Sequence, residues 1–108
     1  MKNYLWKIEE EKLKETNINL YLCFLKKKYK INLEYDFNKI WQWSIQNTEI
    51  FWKSIWEFTN VKGSMGKVYM KKSKDFFENK FFPDAKLNYA ENLLKKNTDE
   101  TAIIFKSE

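Results

Sequence analysis

The 108-residue chain contains no histidine, and every one of its 20 basic residues is a lysine. Without histidine the commonest general base and the commonest metal ligand are gone, so no Ser-His-Asp, Cys-His or zinc constellation can be assembled. Without arginine there is no planar guanidinium fork for reading bases or gripping phosphate in a bidentate way. Lysine still offers a point charge, but a net charge of +5 made only of lysine does not point to a nucleic-acid partner. The single cysteine, Cys23, cannot close an internal disulfide and fits a reducing, cytoplasmic setting. Two glycines and one proline exclude collagen-like, proline-rich and flexible-linker material. The longest apolar run, Leu20 to Leu25, is far short of the roughly 20 residues a membrane span needs. The start, Met1 to Lys7, lacks the apolar stretch of a signal peptide, so no membrane association is expected.

What remains is rich in aromatics. Aromatic residues make up 19% of the chain, which argues against intrinsic disorder, and the length allows one domain at most, or a piece of one. Such a chain buries only about two-thirds of its unfolded surface, so any core is modest. The pattern predicts a mainly α fold: three to four helices, a long irregular segment and a C-terminal strand. Leu13, Leu20, Tyr21, Phe24 and Leu25 recur at helical spacing within residues 9–29. Asp36 reads as an N-cap, with Tyr35 and Ile40 in hydrophobic-staple positions, for a helix from about Phe37 to Gln46. Another begins near Asn47 or Thr48, with Glu49 in its first turn, and ends around Asn60. Residues 61–82 are irregular, with at most one short strand over Lys67 to Met70. Asn88 and Glu91 form a capping-box-like start for a short helix ending near Lys96. Glu100 to Phe105 is a β-branched run that reads as a strand.

Two features predict that the chain is incomplete. At 100° per residue, Phe37, Ile40, Trp41 and Ile45 share one face of their helix while Trp43 projects from nearly the opposite side. Phe51, Trp52, Ile55, Trp56 and Phe58 span an arc of about 160°, wider than the usual ~100° stripe. Such helices call for burial on two sides, which a chain of this length can hardly supply. The C-terminal strand, in turn, has no strand partner nearby in sequence, and unpaired backbone groups need a sheet to join. The alternative is a compact helical domain with a frayed tail.

The chemistry-bearing candidates reduce to structural readings. In Gly63-Ser64-Met65-Gly66-Lys67-Val68 the glycines stand three apart and Val68 lacks the hydroxyl that holds magnesium in a phosphate loop, so this is a turn. Glu9-Glu10-Glu11 and Lys26-Lys27-Lys28 lie acid-first and base-last on the first helix, as its dipole prefers. Lys71-Lys72-Ser73-Lys74 reads as a solvated loop, the alternative being a basic contact to a phosphate-bearing cofactor. Cys23 lies in an apolar run with no basic neighbour directly adjacent and reads as a core residue. Trp41, Trp43, Trp52 and Trp56 read as packing rather than as stacking platforms. No residue is assigned as catalytic, cofactor-binding or metal-binding.

Read in order, several stretches resemble the amino-terminal region of the acetoacetyl-coenzyme A synthetase (acetoacetate–CoA ligase) family. They are Leu5-Trp6, Thr16-Asn17 with Phe24-Leu25, Trp41-Gln42-Trp43-Ser44, Phe51-Trp52 and Ile55-Trp56-Glu57-Phe58. The most specific is Phe82-Pro83-Asp84-Ala85-Lys86-Leu87-Asn88-Tyr89-Ala90-Glu91-Asn92-Leu93-Leu94, followed by Ala102-Ile103-Ile104-Phe105. Asp84 departs from the glycine usual there. The related acetyl- and propionyl-CoA synthetases have a similar region leading to an Asp-Arg-His element; Leu93-Leu94-Lys95-Lys96 stands here instead and favours the acetoacetate branch. The resemblance implies an adenylate-forming ligase of lipid metabolism that uses ATP, magnesium and CoA. It also implies that the phosphate loop, the AMP-binding elements and the catalytic lysine lie beyond residue 108. On that reading residues 1–99 are the helical N-terminal domain and 100–108 the first strand of a large adenylation domain. The remainder of the ligase is the expected partner, packing on the Trp41–Phe58 helices, and the segment alone is expected to be inactive. A standalone helical interaction module, or the N-terminal region of an acetyl/propionyl-CoA synthetase, is the alternative.

Overall fold

The computed structural model describes residues 4–108, so Met1 to Asn3, part of the start read above for a signal peptide, lies outside the described residues. The described chain is mainly helical with one two-stranded sheet. The expected first helix is broken into pieces: α1 (Glu10–Leu13), α2 (Asn17–Phe24) and a π-helical turn over Leu25–Tyr29. Thr16 makes the break. Its hydroxyl oxygen accepts from the Asn19 N–H and its proton goes to the Leu13 carbonyl, so it ends α1 and caps α2. Lys30, at φ 60°, takes the left-handed conformation that stops the π turn.

The helices α3 (Phe37–Gln46) and α4 (Thr48–Phe58) form as predicted. Asp36 caps α3 by accepting from the Asn38 and Lys39 N–H groups. Beyond α4, β1 (Met70–Lys71) pairs antiparallel with β2 (Lys80–Phe81), with Met70 opposite Phe81 and Lys71 opposite Lys80. The expected strand over Lys67 to Met70 therefore begins later. A short 3₁₀ turn, Phe76–Glu78, lies between the strands. Asn88 caps α5 (Tyr89–Leu93) through the Glu91 N–H, as its spacing predicted, although the helix stops short of Lys96.

Two expectations are corrected. The predicted C-terminal strand does not form: residues 101–108 carry no regular structure and are exposed, with no ladder partner among the described residues. A β-branched run sets a strand's propensity, but a strand exists only when a second one takes its hydrogen bonds. The wide apolar arc of α4 is covered on two sides within the chain. Phe51, Ser54 and Phe58 face Tyr21 and Phe24 of α2, while Trp52 packs edge-on to Phe81 and Trp56 lies tilted against Phe82.

Among the described residues the buried ones are few: Tyr21, Leu22, Leu25 and Ser54. The radius of gyration is 18.2 Å, against about 13 Å for a compact domain of this length. The accessible surface is 10150 Å², where a folded monomer of this mass exposes roughly 6,500 Å². Packing is concentrated on α4, and the rest of the chain is open.

Candidate docking interface

The apolar strip of α3 faces outward. Phe37, Trp41 and Ile45, at i, i+4 and i+8, are 73%, 53% and 54% exposed. It is the poorer side of α3 that meets the fold, where Trp43 packs edge-on against Phe51 with ring centres 6.1 Å apart. Of the two apolar sides of α3, the one bearing Trp43 is turned to α4, and the other keeps Phe37, Trp41 and Ile45 more than half exposed. On α4 Ile50 is also exposed, and on α5 Tyr89 and Leu93, one turn apart, are exposed as well. Contiguous exposed apolar side chains of this size mark contact surfaces.

On another side α4 is tied to α2 and to the π turn. The Tyr21 hydroxyl meets Ser54 Oγ at 2.6 Å in the interior. Tyr29 donates to Glu57 Oε2 at 2.6 Å, and Lys28 reaches the same oxygen at 2.8 Å, tying the π turn to the last turn of α4. Lys53 lies over the Tyr69 ring at 4.9 Å and the Tyr29 ring at 5.9 Å. These contacts shift proton affinities. Burial, then the hydrogen bond and charge of Glu57, push the Tyr29 hydroxyl far above its ordinary value. For Glu57 desolvation is the largest influence and opposes ionisation. The hydrogen bonds from Lys28 and Tyr29 and the charges of Lys28 and Lys53 together outweigh it and hold the carboxyl below its usual range. Burial raises Tyr21, with the Ser54 hydrogen bond partly offsetting it.

The other sequence candidates stay apart from one another. Cys23 is exposed on α2, not in the core, because the interior side there is taken by Tyr21 and Leu22 of α2 and by Leu25 of the π turn. The Gly63–Val68 loop is a turn whose Ser64 exchanges both backbone hydrogen bonds with Lys86, at 2.8 and 2.9 Å. Lys71 to Lys74 lie at the exposed sheet and its loop. Of the tryptophans, Trp43, Trp52 and Trp56 pack on aromatic neighbours, whereas Trp41 belongs to the outward strip. Among the described residues no three His, Cys, Asp or Glu side chains are grouped to hold a metal. No helix among them is long and apolar enough to cross a membrane. Sequence reasoning missed Asn92 and Lys95, whose side chains bind the backbone of Thr59 to Lys62, just after α4, from 30 or more residues away; at that separation no local pattern points to the contact.

Residues 37–93 match the model of the family described as acetyl-coenzyme A synthetase N-terminus. The chain belongs to that family. The matched span runs from the first residue of α3 to the last of α5, so the acetyl-coenzyme A synthetase N-terminus is here the unit carrying both outward strips, with α2 as its added support. Among curated proteins the chain is 36% identical over 73 residues to acetoacetyl-coenzyme A synthetase of Rhizobium meliloti (strain 1021), covering 68% of this chain and 11% of that protein. It is 31% identical over 102 residues to acetoacetyl-CoA synthetase of Danio rerio, covering 88% of this chain and 14% of that protein. The Gallus gallus acetoacetyl-CoA synthetase is 34% identical over 73 residues, 63% of this chain and 11% of that protein. The chain thus spans only a small fraction of the length of these relatives. No solved structure gives a significant match.

Proposed function

We propose that this chain is the leading helical segment of an acetoacetate–CoA ligase, where it completes and stabilises a large adenylate-forming domain. The observation that carries this reading is the outward Phe37–Trp41–Ile45 strip on a family domain whose named relatives are acetoacetyl-CoA synthetases many times longer than the matched stretch. In that setting the large domain covers the strip and supplies the neighbours that Glu100 to Phe105 need to become a strand. The complete ligase converts acetoacetate, ATP and CoA to acetoacetyl-CoA, AMP and diphosphate, using magnesium. The segment's own part is mechanical. Stabilising a transferring phosphoryl or adenylyl group requires donors held in fixed positions around it, and the polar side chains fixed by this fold, such as Tyr21, Ser54, Asn92 and Lys95, are turned on its own backbone and on one another. Its residues therefore bury and orient, while the chemistry belongs to the partner domain.

The test is direct. The purified 108-residue chain, given ATP, magnesium, acetoacetate and CoA, is expected to release no diphosphate above background. A separately expressed large domain is expected to bind it and to gain solubility and activity. Acetoacetate-dependent diphosphate release by the chain alone, or a large domain indifferent to its presence, sinks the reading.

A further inference from the structure

The block from Phe82 to Lys95 folds back on the C-terminal end of α4, and its polar side chains bind backbone. Asn92 grips one residue by both its main-chain groups. Its Oδ1 accepts from the Lys62 N–H at 2.7 Å, and its Nδ2 donates to the Lys62 carbonyl at 2.8 Å. The same Nδ2 donates to the Asn88 carbonyl at 2.9 Å, joining the grip to the cap of α5. One turn on, Lys95 Nζ donates to the Thr59 and Asn60 carbonyls at 3.1 and 2.6 Å. These two residues lie just past Phe58, the last residue of α4, where the helix dipole favours a cation. A five-residue helix cannot hold itself in water, since isolated helices below about 12 residues are marginal. The placement of α5 therefore depends on contacts outside it, the Ser64–Lys86 bridge before it and these two grips at its other end, yet Tyr89 and Leu93 are 78% and 67% exposed.

We propose that Asn92 and Lys95 are positioning residues forming a latch. They lock α5 to the end of α4, so that the Tyr89–Leu93 strip and the Phe37–Trp41–Ile45 strip meet one rigid partner in a fixed mutual orientation. The occupant is the large domain of the ligase. This rests on the function proposed above, because relatives that the chain covers to only 11% and 14% have that much more protein to dock. The latch itself exists without that partner and is tested without it.

Spin labels at exposed positions 42 and 90, introduced as Gln42→Cys and Ala90→Cys with Cys23→Ser, report the α3–α5 distance by pulsed electron paramagnetic resonance. A narrow distribution is expected for the parent, widened about two-fold by Asn92→Ala or Lys95→Met as α5 opens locally. Lys95→Arg keeps a donor for the two carbonyls and restores it. Exchange of the Lys62 amide rises roughly ten-fold in Asn92→Ala, the factor that ~1.4 kcal/mol corresponds to. A broad parent distribution, or one unmoved by both substitutions, overturns the latch. Should Asn92→Ala unfold the chain, Lys95→Met decides. With the separate large domain present, Asn92→Ala is expected to weaken binding at least about ten-fold, and unchanged affinity also overturns it. A narrow parent distribution with no binding at all sinks the docking function and leaves the latch standing.

Discussion

Ser54 is wholly buried and Tyr21 nearly so, and the direction of their hydrogen bond follows from proton count. A hydroxyl has one proton to give. Ser54 spends its own on the Phe51 carbonyl at 2.7 Å, so in the 2.6 Å contact Tyr21 is the donor. Ser54→Ala then strands a phenolic donor in a packed, dry place, at a cost of about 1–3 kcal/mol, with ~0.5 kcal/mol returned by alanine's better helix propensity. Tyr21→Phe removes the donor and leaves Ser54 satisfied by Phe51, so it costs only about 0.5–1.5 kcal/mol. The double substitution leaves no orphaned donor and should cost less than the two singles together, a coupling of about 1 kcal/mol. Urea unfolding followed by tryptophan fluorescence and circular dichroism measures all four proteins. Ser54→Ala should also lower Tm by several degrees, given roughly 4–8 °C per kcal/mol in a domain of this size. Strict additivity, or a Ser54→Ala protein as stable as the parent, refutes the assignment of donor and acceptor.

Four further outcomes are expected. The folded Glu57 carboxyl binds its proton less tightly than in the unfolded chain. Its stabilisation is therefore present above the unfolded value of about 4.3 and lost as pH falls through the lower folded one; Tm should drop on acidification, and less so in Glu57→Gln. Tyr29 is shifted the opposite way, so its contribution holds below the unfolded value of about 10 and fades as pH rises beyond it; Tyr29→Phe should remove that alkaline loss. Serine at Phe37, Trp41 or Ile45, one at a time, should change stability by less than about 0.5 kcal/mol while reducing self-association seen by light scattering. A loss above about 2 kcal/mol would mean that the strip is packed inside. Gly63→Ala should cost about 1–3 kcal/mol by chemical denaturation, because Gly63 has φ +144° and a Cβ there would lie 2.6 Å from the Lys86 carbonyl oxygen. A neutral result would refute the close approach of the two loops.

Local chemistry was readable where the cause is local. Asp36 and Asn88 announce α3 and α5 because a short polar side chain before a helix satisfies its first N–H groups. The same logic was available at Thr16, in Glu15-Thr16-Asn17, but the apolar spacing of residues 13–25 masked it and one long helix was expected. The apolar faces of α3 were correctly drawn, yet periodicity only says that two sides are apolar. It cannot say which one the neighbouring helix will take, and Trp43, not the richer strip, made the contact. The candidate interface was therefore legible as a surplus of apolar surface and not as a location. Asn92 carried no local signal beyond its place in a specific block, because its partner at Lys62 is brought to it only by the fold.

By itself the sequence determined the mainly helical class, two of the caps, the family, and the lack of any histidine- or arginine-based chemistry. Each of these depends on residue type or on neighbours within a few positions, and needs no folding to be read. Tertiary structure decided which apolar side of α3 turns outward, how α4 is covered on both flanks, and that Asn92 and Lys95 close on the end of α4. It also decided that Ile103 to Phe105 stay unpaired here. A strand, a buried face and a backbone grip are all relations between distant segments, so a residue can be suited to such a role but only a partner in space gives it one.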